Sequence, residues 1–171
     1  MKIDKKKIVI ILSLMVIGGI YGFIYETIFY RIDLGYFVKR GSTFGPWIPI
    51  YAFGSVLIYL TTSKYRKSPL KVFLISAVGS GLLEYLTGFL LLKICGIRLW
   101  NYNTEIWNFL NVNGFICLRS VLFFSISGLI LIYLIVPCIE KIYYKKPDSL
   151  TKISYILCSI FMIDFIINIF L

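Results

Sequence analysis

No histidine occurs among the 171 residues, which excludes histidine-based catalytic triads, imidazole zinc ligands and imidazole proton relays. Charge is scarce as well. Only 15% of the chain is Asp, Glu, Lys or Arg, and just eight of those residues are acidic, so no carboxylate-rich metal cluster is expected and no metal or cofactor is assigned. The four cysteines (Cys95, Cys117, Cys138, Cys158) show no CxxC pairing and lie mostly in apolar runs, where they read as small hydrophobes rather than redox groups. The GxxxxGK[ST] phosphate loop is also missing, so the chain is not itself an ATPase.

What is present is apolar. Hydrophobic residues make up 59% of the chain and the mean hydropathy is +0.87, beyond what an ordinary soluble domain carries. The expected fold is an all-α polytopic membrane protein. Its net charge of +10 would point to nucleic acid in a soluble protein, but here the lysines and arginines separate apolar runs and orient the chain against lipid. Membrane lipids, not nucleic acid, are the expected partners.

The spacing predicts about five transmembrane helices, at about 8–30, 47–62, 70–94, 116–138 and 153–171, within one membrane domain covering 1–171. The first run lacks a small-residue cleavage site and reads as an uncleaved span rather than a signal peptide. Twelve basic residues lie on one side: Lys2, Lys5, Lys6 and Lys7, then Lys64, Arg66, Lys67 and Lys71, then Lys141, Lys145, Lys146 and Lys152. The other side has six, namely Arg31, Lys39, Arg40, Lys93, Arg98 and Arg119. The positive-inside rule then places the N-terminus in the cytoplasm.

The stretch RGSTFGPWIPIYAFG, from Arg40 to Gly54, interrupts this pattern. Gly41, Gly45, Pro46, Trp47 and Pro49 resist a regular helix, because glycine costs backbone entropy and proline removes a donor. A re-entrant or irregular outer loop after the first span is expected. Non-helical backbone at membrane depth is tolerated only where protein or water satisfies it, so such a loop points to a site.

Two glutamates lie inside the apolar runs. Gly18, Gly22 and Glu26 share a helix face, and Ala77, Gly81 and Gly88 stand at helical spacing around Glu84, so both acids are backed by small residues that admit a neighbouring helix. Helix rise puts Glu26 about 27 Å and Glu84 about 21 Å along their spans, in the outer part of the core. Arg40 is the expected partner, since its guanidinium can hold a carboxylate through two bonds. One arginine facing two carboxylates leaves a charge to be balanced, whereas a purely structural ion cluster would have no use for the surplus. Asp164 stands alone, with Asn168 one turn later placed to hydrogen-bond it. Among the aromatics of RLWNYNTEIWNFLNVNG, Trp107 reads as a headgroup marker, while Trp100 and Tyr102 are candidates to line a path.

Glu26, the Arg40–Gly54 stretch with its Tyr51, Glu84-Tyr85-Leu86-Thr87, Leu99-Trp100-Asn101-Tyr102 and Asn111-Val112-Asn113-Gly114-Phe115-Ile116-Cys117-Leu118, in that order, resemble the motifs of the putative ABC-transporter type IV family of small bacterial membrane proteins. The resemblance covers about 18–121. It implies a multi-pass protein of the bacterial cytoplasmic membrane, adds Asn111 and Asn113 to the path candidates and Gly114 to the loop-shaping residues, and would call for a separate ATPase subunit or self-association. The chain departs from the family pattern at Asn101, usually acidic, at Phe115, usually arginine, and at Lys39 and Ala52. The leading expectation is a permease-like transport component for a small polar or ionic solute. The alternatives are a membrane enzyme acting on lipid-linked or envelope substrates at the outer face, with paired carboxylates for acid and base work, and a non-catalytic accessory subunit.

Overall fold

The computed structural model describes residues 4–170; Lys2, among the basic residues of the N-terminus, and Leu171, the end of the last expected span, lie outside them. Five helices form, and no strand occurs among the described residues. Helix α1 (Lys5–Leu34) starts on the Asp4 carboxylate, which accepts from the Lys6 amide at 3.0 Å, and ends on Gly35 in the left-handed region at φ 81°. Helix α2 (Pro49–Thr62) and helix α3 (Pro69–Cys95) both begin on proline, whose missing N–H costs nothing in a first turn. Helix α4 (Leu118–Lys145) contains a π-turn at Leu131–Ile135, just before Pro137, which cannot continue the regular bond ladder. Helix α5 (Pro147–Phe170) closes the chain.

Helices α1, α3, α4 and α5 are each long and apolar enough to cross a membrane. Helix α2, the second expected span, has only 14 residues. At 1.5 Å per residue it reaches about 21 Å, short of a hydrocarbon core of about 30 Å.

The described residues group into two compact units. The first comprises the chain up to Val56 together with the part from Tyr133 onward. Here α1 lies along α5, joined by a 2.8 Å bond between the Ser13 and Ser154 hydroxyls. Trp47 meets the buried Phe161 edge-on, with ring centroids 5.8 Å apart. Gly19 and Gly22 let the chain after the first loop approach α1: a Cβ at Gly19 would stand 2.9 Å from that of Trp47, and one at Gly22 would sit 2.6 Å from that of Tyr51. A Cβ at Gly18 would fall 2.7 Å from that of Ser55, so Gly18 and Gly22, the glycines expected to share a face with Glu26, both serve close packing.

The second unit runs from Leu57 to Ile132 and is built on the pairing of α3 with α4. The contact is close where small residues meet. A Cβ at Gly128 would fall 2.7 Å from the Ser76 Cβ, and one at Gly81 would touch Val121 at 3.6 Å. Between the two helices, the loop from Gly96 to Cys117 folds onto the face of α3 that carries Glu84.

Candidate functional site

In the first unit, α1 brings Glu26 to the loop that follows it. Arg40 reaches back with two nitrogens, Nε at 3.0 Å and Nη2 at 2.9 Å from Glu26 Oε2, while its guanidinium lies 3.6 Å from the centre of the Tyr30 ring. Both side chains keep about a fifth of their surface exposed. Gly41, at φ 78°, turns the chain after Arg40 in a way an L side chain resists. The buried Thr43 hydroxyl then donates to the Trp47 carbonyl at 2.7 Å, and the Ile48 amide donates to Gly19 O at 3.0 Å.

The residue that organises this loop is one the sequence left aside. Asp164, projecting from α5, accepts from the Phe44 amide at 2.9 Å, the Gly45 amide at 2.7 Å and the Trp47 indole at 2.7 Å. Asn168 also donates to it, at 2.8 Å, as the spacing of one turn anticipates. A carboxylate that receives two main-chain donors and an indole satisfies groups that an irregular loop would otherwise leave dry. Of the loop-shaping residues, Trp47, Tyr51 and Gly54 are buried, Gly45 and Pro49 are half-buried, and Pro46 is exposed.

In the second unit, Glu84 is 4% exposed within the apolar run of α3. The Tyr102 hydroxyl donates to its Oε1, and the Tyr102 ring in turn lies 5.3 Å from the Arg119 guanidinium. Arg119 Nη2 pairs with Glu105 Oε2 at 2.5 Å, a nearly buried pair with side-chain exposures of 15% and 4%. The cluster therefore contains two buried carboxylates, Glu84 and Glu105, and one largely enclosed guanidinium.

A polar lattice holds the loop in this shape. Asn101 Oδ1 accepts from Arg98 Nη1 and from Asn103 Nδ2, both at 2.9 Å. Asn111 donates to Asn103 Oδ1 at 3.0 Å and accepts from the Gly114 amide at 2.8 Å, while Asn113 donates to the Tyr85 hydroxyl at 3.2 Å. The Trp100 indole donates to Phe115 O at 3.0 Å. Gly114, at φ 74°, is required because a Cβ there would stand 2.6 Å from both Arg98 Nη1 and Asn103 Nδ2. Asn101 and Phe115, two of the four departures from the family pattern, are served by one residue: Arg98 bonds the first and lies over the ring of the second at 4.7 Å.

The candidates thus fall into two groups. Glu26 and Arg40 meet in the first unit; Glu84, Trp100, Tyr102, Asn111 and Asn113 lie in the second, on α3 and its loop. Glu105 and Arg119 were not singled out. The signal was available: Glu105 is the sole acid between residues 96 and 117, and Arg119 is the sole charge in the apolar run 116–138.

Arranged this way, a buried acid is capped by a phenol carried on a polar loop, next to the Arg119–Glu105 pair. No group of three or more His, Cys, Asp or Glu placed to hold a metal occurs among the described residues. No curated protein and no solved structure matches the chain. A family model does, over residues 13–169, well past the 18–121 stretch and through α4 and α5 to Asp164. The chain belongs to the family described as putative ABC-transporter type IV.

Proposed function

We propose that this membrane protein is a permease-like transport component for a small polar or ionic solute, with its site on the outer side of the bacterial cytoplasmic membrane. Glu84 carries the reading. An ionisable group inside an apolar helix costs about 2.5–3.5 kcal/mol on insertion scales, and such groups mark ion and solute paths. This one sits beneath a phenol supplied by the loop, beside a buried pair that contributes one further carboxylate and one guanidinium. Energy would come from an ion gradient acting through Glu84, or from a separate ATPase subunit, because the phosphate loop is missing from the sequence.

Glu84→Gln tests the reading, because the amide keeps the size of the side chain but cannot exchange a proton or balance a cation. Uptake of alkali cations, amino acids and small carboxylates is followed in producing cells and in proteoliposomes. The variant is expected to melt like the parent in detergent and to lose the uptake. Equal uptake by a normally stable Glu84→Gln protein would take Glu84 off the path, and no uptake above background by the parent would remove the transport role.

Orientation is tested separately. The twelve-to-six distribution of basic residues predicts that a reporter active only outside the cytoplasm stays silent when fused after Lys67 and is active when fused after Asn108. The opposite pattern would place Glu84 and its loop at the cytoplasmic face.

A further inference from the structure

Three L residues in the loop between α3 and α4 adopt positive φ: Trp107 at 53°, Leu110 at 51° and Asn113 at 54°. Asparagine tolerates that region, and Asn113 needs no explanation. Tryptophan and leucine do not, and a turn built only to face water would place glycine or asparagine there. The strained turn also displays its apolar side chains. Trp107 is 57% exposed, Phe109 69% and Leu110 77%.

The turn lies level with the start of a span. Leu118, the first residue of α4, donates its amide to Phe109 O at 2.9 Å, which ties the tip to the point where the apolar helix begins. No charged residue occurs from Ile106 to Cys117, and the polar groups nearby are turned back into the loop: Asn108 donates to Asn103 O at 3.3 Å, and Asn111 bridges Asn103 and Gly114. Polar side chains bonded within the loop leave the apolar ones as its outward face.

We infer that residues 107–110 form a tip that dips into the lipid at the headgroup and acyl boundary beside the ends of α3 and α4, with Trp107, Phe109 and Leu110 as the inserted groups. The partner is the leaflet itself. Tryptophan is enriched at this depth, where its ring meets both headgroups and chains. The loop that caps Glu84 is thereby attached to the membrane surface at its far end as well as to α3.

The experiment compares the full chain with Trp107→Phe in lipid nanodiscs and takes the difference in tryptophan emission, which subtracts Trp47 and Trp100. Should Trp107→Phe fail to fold, Trp107→Tyr supplies the same subtraction. The Trp107 component is expected to be quenched by lipids brominated near the carbonyl end of the acyl chain and shielded from aqueous acrylamide. Quenching by acrylamide with no response to brominated lipid would overturn the inference. Shielding from both would also overturn it, and would assign the tip to a protein contact, either with a second copy or with a subunit present in the disc.

Discussion

Replacing Asp164 with alanine is expected to be among the most damaging single changes in the first unit. The carboxylate receives four charge-assisted donors, and three of them, the Phe44 and Gly45 amides and the Trp47 indole, belong to one loop. Removing it leaves those donors facing a cavity. Leaving buried donors without an acceptor costs about 1–3 kcal/mol each, so a loss of several kcal/mol is expected. A lower melting temperature in detergent and rapid hydrogen exchange at Phe44 and Gly45 are the expected readouts. Asp164→Asn should fall between, since its amide oxygen can still accept but its NH2 faces donors. An alanine variant with unchanged exchange at both positions would show that the loop is held from elsewhere.

The corresponding change in the second unit is Arg119→Met. It breaks the pair with Glu105, whose side chain is 4% exposed, and removes the cation lying over the Tyr102 ring. A loss of about 3–5 kcal/mol is expected from the uncompensated carboxylate. Arg40→Met should cost less, because the Arg40–Glu26 pair keeps about a fifth of each side chain in contact with solvent and is partly screened. The double variant Arg119→Met with Glu105→Gln restores neutrality and should recover most of the stability. If the pair only braces the fold, activity returns with stability; if it balances charge for the Glu84 site, stability returns while solute uptake stays low. Equal thermal stability of Arg119→Met and the parent would contradict the pairing itself.

The membrane class, the helix count and the position of the first loop could be read from the sequence, because each depends on local properties: run length, charge between runs, and glycine and proline in a fixed order. The pairing of Glu26 with Arg40 was also within reach, since 14 positions separate them and an arginine beside an apolar run needs an anion. The Asp164 contacts were not. Those to the loop span 117 to 120 positions, and two of the three use main-chain amides, which every residue but proline carries, so nothing in the composition marks Phe44 or Gly45 as donors. Tyr102 was placed near the path from its residue type, but its bond to Glu84 depends on how the 96–117 loop folds. That fold rests on an asparagine lattice and on Gly114, details that periodicity does not encode.

Helix α2 has a consequence for the surrounding bilayer. With 14 residues it offers about 21 Å of length against a hydrocarbon core of about 30 Å, while α1, α3, α4 and α5 are long enough to cross it. Phe53 and Leu60 are exposed along it, at 36% and 47%. Lipid beside them must shorten, tilt or give way to the apolar loop side chains that precede the helix, among them Tyr36 and Phe37 at 60% and 74% exposure. Mismatch costs only fractions of a kcal/mol per ångström, yet over several ångströms it sorts proteins between membranes of different thickness. The stability of the chain is therefore expected to depend on acyl-chain length, measured as melting temperature in bilayers of graded thickness.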